Sequence, residues 1–154
     1  MNLTYRTLSD RDKRTICAWH YPDEYAAYDL PSYEEMRAKK MAFLNPERER
    51  NFYGFLDGEN LVGFVNIAEE EKEVLIGIGV APDLCGQGYG QAILREAYRI
   101  SKEKYREKPL YLKVQTRNRR AVRCYERAGF RADGAPFAQQ TYMGTGLFQR
   151  MIKE

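Results

Sequence analysis

The chain has 154 residues, 44% of them hydrophobic, with 25 Lys and Arg against 22 Asp and Glu. This is enough apolar material for one packed core and too short for two ordinary domains, so a single domain over residues 1–154 is expected. A net charge of +3 spread along the sequence supplies no polycationic face, which argues against nucleic acid as a partner. Cys17, Cys85 and Cys124 are odd in number and widely spaced, and the lone His20 cannot complete a metal cluster with them. Reduced thiols, no metal site and a cytoplasmic location are expected. The start, MNLTYRTLSDRD, lacks an apolar signal core, and no apolar run approaches the roughly 20 residues of a membrane span.

Residues Leu3 to Leu8 alternate like an edge strand, and Ser9 with Asp10 supplies an N-cap for a helix reaching about Trp19. Tyr21 to Pro31 is an aromatic, Pro-bounded connection. Ser32 followed by Glu35 is a capping-box signal for a second helix through Phe43. Asn51–Leu56 and Leu61–Ala68 are β-rich runs around Asp57-Gly58-Glu59-Asn60, a hairpin signal, and the acidic turn Glu69–Glu73 leads into the strand Val74–Val80. A helix follows from about Gly88 to Lys102. Then come a strand over Leu110–Gln115, a helix over Arg119–Ala128 with Gly129 just past its end, and closing strands at Phe130–Asp133 and Leu147–Ile152. This order mixes an antiparallel meander with a βαβ crossover, which places the chain in the α/β class with a mixed sheet.

The segment Cys85-Gly86-Gln87-Gly88-Tyr89-Gly90 joins the strand Val74–Val80 to a helix. Glycines at such a junction let the backbone turn so that several N–H groups face one point, where the helix dipole also favours an anion. The spacing is not the GxGxxG of a dinucleotide fold, and the Gly-Lys-Ser/Thr of a P-loop is absent. Taken alone, the turn is either an anion cradle or a glycine-rich helix start with no ligand.

A second segment, LYLKVQTRNRRAVRCYERAGF over residues 110–130, places Asn118, Ala121, Tyr125 and Gly129-Phe130 at fixed offsets after a strand. Together the two segments resemble the GNAT superfamily of acetyl-CoA-dependent N-acetyltransferases, closely over Val74–Phe130 and elsewhere in the order of elements. The resemblance implies a GNAT-like single domain: a mixed, mostly antiparallel sheet splayed between the strands at 74–80 and 110–115 and flanked by helices. It implies that the amides of about Gly86 to Gln91, with Gln87, Gly88, Tyr89 and Gly90 between them, hold the pyrophosphate of acetyl-CoA. The backbone of Ile78, Gly79 and Val80 would pair with the pantetheine arm like an added strand. Asn118 and Ala121 would lie at the cofactor, and Tyr125 would protonate the departing thiolate as general acid. Cys85 stands where the family has Gln or Arg, which removes a side chain near the phosphates and leaves the backbone cradle.

Family members often carry a Glu base where this chain has Val74, Ile76 or Lys113. Glu73 is nearest, yet period-2 alternation turns it away from the face of Val74 and Ile76. At pH 7 a lysine amine of pKa about 10.4 costs about 4–5 kcal/mol to deprotonate and an α-amine near 7.8 only about 1. The missing base therefore points to an acceptor of lower pKa, an α-amine or a small weakly basic amine on a small molecule or peptide. Trp19, Tyr25 and Tyr28, crowded with Tyr21 and Tyr33 where the family places its acceptor slot, are candidate walls for that amine. The rival reading is a noncatalytic acyl-CoA-binding module. A homodimer is compatible with either.

Overall fold

The computed structural model describes residues 1–154 and shows four α-helices and eight strands. The strands are β1 (Leu3–Thr7), β2 (Phe52–Asp57), β3 (Asn60–Glu69), β4 (Val74–Val80), β5 (Leu110–Gln115), β6 (Arg131–Ala132), β7 (Phe137–Thr141) and β8 (Gly144–Lys153). The helices are α1 (Asp10–Cys17), α2 (Tyr33–Ala38), α3 (Tyr89–Tyr105) and α4 (Arg119–Arg127). The sheet order is β1-β2-β3-β4-β5-β8-β6, with β7 paired to β8. It is the mixed, mostly antiparallel α/β sheet expected from the element order. No helix is long and apolar enough to cross a membrane.

The chain divides into two compact units, Met1–Asn66 with Ile78–Ile93 and Ile67–Gly77 with Leu94–Glu154, and the division runs through β3, β4 and α3. In the first unit α1 starts on the expected cap. The Ser9 hydroxyl accepts from the Asp12 amide at 3.1 Å, Asp12 accepts from the Ser9 amide at 3.0 Å, and Arg6 holds the same carboxylate at 3.0 and 3.1 Å. Behind it lies an aromatic core in which Phe43 meets Phe52 and Phe64 edge-on at 5.6 and 6.0 Å, and Trp19 packs on Phe64 at 6.3 Å. Leu8, Ile16, Cys17 and Met36 complete it. Burial pushes the Cys17 thiol up to about 11, so this sulfur is core material and inert.

The second helix is half the expected length. Ser32 caps it by accepting from the Glu35 amide at 3.2 Å, but Glu35 turns its carboxylate to Lys39 (2.9 Å) instead of back to the cap. The helix stops because Lys40 enters the left-handed region (φ +52°) and the Met41 amide reaches back to Met36 O at 2.9 Å. That is a helix-ending motif that usually takes glycine and here takes lysine, leaving no signal in the sequence. The Tyr21–Pro31 connection holds a 3-10 turn at Asp23–Tyr28.

The second unit buries Val74, Ile76, Leu94, Ala97, Ile100, Leu110, Leu112, Val114, Phe130 and Met151. Here β4 and β5 run parallel, in register at Val74 with Leu110 and Leu75 with Tyr111. From Leu110 to Gln115, β5 pairs antiparallel with Lys153 to Phe148 of β8. The hairpin β7–β8, with Tyr142 and Met143 between Thr141 and Gly144 (φ +105°), is longer than the sequence indicates, which places a strand only from Leu147. Its turn has no Asn-Gly or Asp-Gly, and β7 (FAQQT) is too polar to read as a strand; Thr141 Oγ1 holds the turn instead, accepting from the Met143 amide at 3.1 Å.

Candidate active site

The first group of site residues lies in the first unit, on one continuous run of backbone from the end of β4 to the start of α3. The β4–β5 ladder ends at Leu75, so the edge of β4 from Ile76 to Val80 has no strand partner on the β5 side. Backbone N–H and C=O groups inside a sheet are normally paired, and such an edge is ready for an added strand. Gly79 is required there: a Cβ would fall 2.3 Å from the ring of Phe64. Opposite it on β3, a Cβ on Gly63 would lie 2.5 Å from Ile93 Cδ1 and 2.6 Å from the Gly79 carbonyl oxygen.

After β4, Leu84 and Cys85 donate to Ala81 O and Pro82 O at 2.9 and 3.4 Å and close a 3-10 turn. The helical ladder of α3 begins only where the Ala92 amide meets Gly88 O at 3.2 Å. The amides of Gly86, Gln87, Gly88, Tyr89 and Gly90 belong to neither set. Gly86 and Gly88 take φ +79° and +91°, which brings successive N–H groups round, and a Cβ on Gly86 would meet nothing within 4 Å. The turn thus presents amides at the head of a 17-residue helix, a geometry that could hold a pyrophosphate. Tyr89 fixes the head of α3 by donating to Asp57 Oδ2 at 2.7 Å, and that bond holds the Asp57 carboxyl below its ordinary range. The Cys85 sulfur rests 3.6 Å from Ala81 O.

The aromatic connection sits in the same unit. Tyr25 and Tyr28 pair with ring centres 6.4 Å apart, whereas Trp19 is drawn onto Phe64 and shares the aromatic core. Asp29 ties the connection together, accepting from the Tyr21 amide at 2.8 Å and meeting His20 Nδ1 at 3.0 Å. Burial opposes ionisation of Asp29, but these two contacts outweigh it and keep its carboxyl low. The Tyr21 hydroxyl donates to the Val80 carbonyl at 2.7 Å. Neither this contact nor the Asp29 clamp leaves a sequence pattern to detect. Asn66 was equally hidden: it stands opposite Phe52 in the β2–β3 ladder, and its Oδ1 is buried without a hydrogen bond.

The second group lies in the second unit. Asn118 caps α4, its Oδ1 accepting from the Ala121 amide at 3.3 Å. Gly129 (φ +95°) ends the helix as expected, the Phe130 amide reaching Tyr125 O at 3.0 Å. Tyr125 packs edge-on against Phe130 at 6.2 Å. Burial, with a smaller contribution from Cys124, pushes the Tyr125 phenol above its ordinary pKa, so it carries its proton at neutral pH.

The base positions are settled by contact. Val74 and Ile76 are core residues, and Lys113 is exposed with its amine at Gln139 Oε1. Glu73 is claimed by Arg150, which also holds Asp133 at 2.8 Å and lies 4.2 Å over the Tyr111 ring. The Arg150 guanidinium keeps the Glu73 carboxyl below its usual range, making it a poor proton acceptor. No group of three or more His, Cys, Asp or Glu side chains is placed to hold a metal ion.

The mixed α/β sheet with its strand–turn–helix run at Val74–Tyr105 is the setting for the comparisons with known proteins. Residues 13–130 match the model of the acetyltransferase (GNAT) family, and the chain belongs to that family. It is an acyltransferase of N-acetyltransferase type. No curated protein is significantly similar to it in sequence. Among solved structures it is similar to a chimera of the Vibrio cholerae spermidine N-acetyltransferase SpeG with hSSAT (23% identity, 97% of this chain and 93% of that one, TM-score 0.75). It is also similar to a protein described as a phosphinothricin N-acetyltransferase (19% identity, 99% and 98%, TM-score 0.73). A third is a dodecameric Vibrio cholerae spermidine N-acetyltransferase (22% identity, 98% and 92%, TM-score 0.72). At these identities the likeness establishes the fold.

Proposed function

We propose that this protein transfers the acetyl group of acetyl-CoA to the amine of a small molecule or peptide in the cytoplasm. The observation that carries the reading is the run Ile76–Gly90, a strand edge with no ladder partner leading into amides outside any ladder. The edge at Ile78–Val80 takes the amide arm, and the Gly86–Gln91 turn takes the pyrophosphate. The amine attacks the thioester carbonyl, the carbon–sulfur bond breaks, and Tyr125 gives its proton to the leaving thiolate. Desolvation that raises the phenol's pKa also raises that of a thiolate held beside it, which keeps the transfer feasible. Asn118 and Ala121 support the cofactor arm. N-acetyltransferases among the similar structures support an amine acceptor, and the dodecameric one supports self-association, a homodimer at least. Trp19, Tyr25 and Tyr28 line the acceptor side.

With Glu73 engaged and Val74 and Ile76 buried, no side chain at those positions takes the ammonium proton; ordered water does, which favours an α-amine or a weakly basic amine over lysine. The same observation favours the second reading, a noncatalytic acyl-CoA-binding module. Tyr125→Phe separates them: turnover should fall about 100-fold or more with CoA affinity kept. Absence of turnover by the native protein on a panel of α-amines, polyamines and lysine peptides, with CoA bound, would establish the module.

A further inference from the structure

The hairpin β7–β8 is built unlike the rest of the chain. From Gly134 to Gln149 no residue carries a charge, although 31% of the chain is Asp, Glu, Lys or Arg. The stretch is nonetheless on the surface: Tyr142, Met143 and Leu147 are 54%, 44% and 51% exposed, three of the five large apolar side chains so placed. Alternation explains Leu147. Along β8 the row Met151, Gln149, Leu147, Thr145 shares one face, and at Met151 that face is core. Since β5 ends opposite Phe148, the row continues past it, with Ala138 of β7 beside Leu147 and Gln140 beside Thr145, all four exposed. A face that begins as core thus ends as uncovered, uncharged surface.

The edge beside it is open as well. β7 pairs with β8 on one side and with no strand on the other. Unpaired edges are templates for further pairing, and proteins usually guard them with charges. The other terminal strands have such a guard, Arg6 in β1 and Arg131 in β6, whereas β7 (FAQQT) has none. The Lys113 amine meets Gln139 on the face opposite Ala138 and Gln140. A second copy of this chain is the occupant that fits. Two copies of one antiparallel edge related by a two-fold axis satisfy each other's N–H and C=O groups, and residues near the axis meet their own kind. A charge in the strand would face its like there, and β7 carries none. Pro136 before the strand and the turn at Tyr142–Met143 after it bound the edge, so one partner uses it up and the pairing closes at two.

We infer that β7 is a self-association surface: two copies of the chain join β7 edge to edge, antiparallel about an axis at the middle of the strand, with the Ala138–Leu147 face and the Tyr142–Met143 turn packed at the seam. The inference rests on the self-association proposed above and gives it a surface.

The test is sedimentation of the native chain and of two double variants at exposed positions, Ala138→Glu with Gln140→Glu and Ala138→Lys with Gln140→Lys, each checked for folding by circular dichroism. About the inferred axis position 138 of one copy faces position 140 of the other. Each double therefore sets like charges across the seam and should weaken association about 100-fold or more, while an equal mixture of the two sets opposite charges there and should reassemble. The native chain at about 100 μM should sediment as a dimer or an even multiple of one. A native monomer overturns the inference together with the self-association reading. A native oligomer that both doubles leave intact keeps self-association and overturns the β7 surface. Doubles that dissociate but do not reassemble on mixing overturn it too, since they then act by disturbing the hairpin and not by charge at the seam.

Discussion

The two ends of β4 use polar groups in opposite ways. At the Glu73–Val74 end charged groups are spent on one another within the protein: Glu73 and Asp133 on Arg150, Arg150 over Tyr111, the Tyr111 hydroxyl on both oxygens of Glu70 at 2.8 Å, and Lys108 on Glu69 at 2.7 Å. At the Val80–Gly90 end few charges are present, and the resource is backbone, a strand edge and a set of amides outside both neighbouring ladders. The contrast shows why titratable residues are a poor guide to this site. A carboxylate held by a guanidinium gains stability and loses basicity, whereas an uncharged turn binds an anion through geometry alone.

The contrast breaks most sharply at Arg150. Arg150→Met leaves Glu73 and Asp133 facing each other without a cation and should cost about 2 kcal/mol of stability in urea unfolding. CoA affinity should not change; if it falls tenfold, the charged end contributes to the site and the division of labour fails. Gly86→Ala is the converse. Forcing an alanine to φ +79° costs about 1 kcal/mol, and the turn relieves that strain by rotating its amides away from the ligand. Calorimetry should therefore show CoA binding weakened several-fold alongside the small loss of stability.

The smallest effect is the most diagnostic of sign. Glu73 has a lowered pKa when folded, so its contribution is complete above the unfolded value near 4.3 and disappears as pH falls through the folded value. Glu73→Gln should therefore destabilise by about 1 kcal/mol at pH 7, shrinking to nothing in acid. An acid-independent difference would mean that Arg150 does not hold this carboxylate in solution.

Much of this was readable from residue types. The strands β2 to β5, the caps at Ser9 and Gly129 and the glycine turn are local: each follows from alternation, a capping residue or a φ that only glycine takes easily. What escaped is stabilised from afar or against propensity. Lys40 ends α2 in a conformation that gives no warning, and β7 exists because the long β8 offers it hydrogen bonds. The Arg150 network joins residues 77 positions apart, so the loss of Glu73 as a base could be anticipated from alternation but its cause could not. For the site, the resemblance supplied Asn118 and Tyr125, and the fold adds that Asn118 also caps the helix bearing Tyr125.

The close approach of Gly63 and Gly79 has an evolutionary side. A methyl group on Gly63 would press on the backbone oxygen of Gly79, and one on Gly79 on the ring of Phe64, so neither position can change by a single step without moving a strand or the Phe64 ring. The aromatic segment around Tyr25 and Tyr28 contains no such glycine pair. On the function proposed above, descendants of this chain can exchange acceptors by drift in that segment while the rail proposed to carry the donor stays fixed.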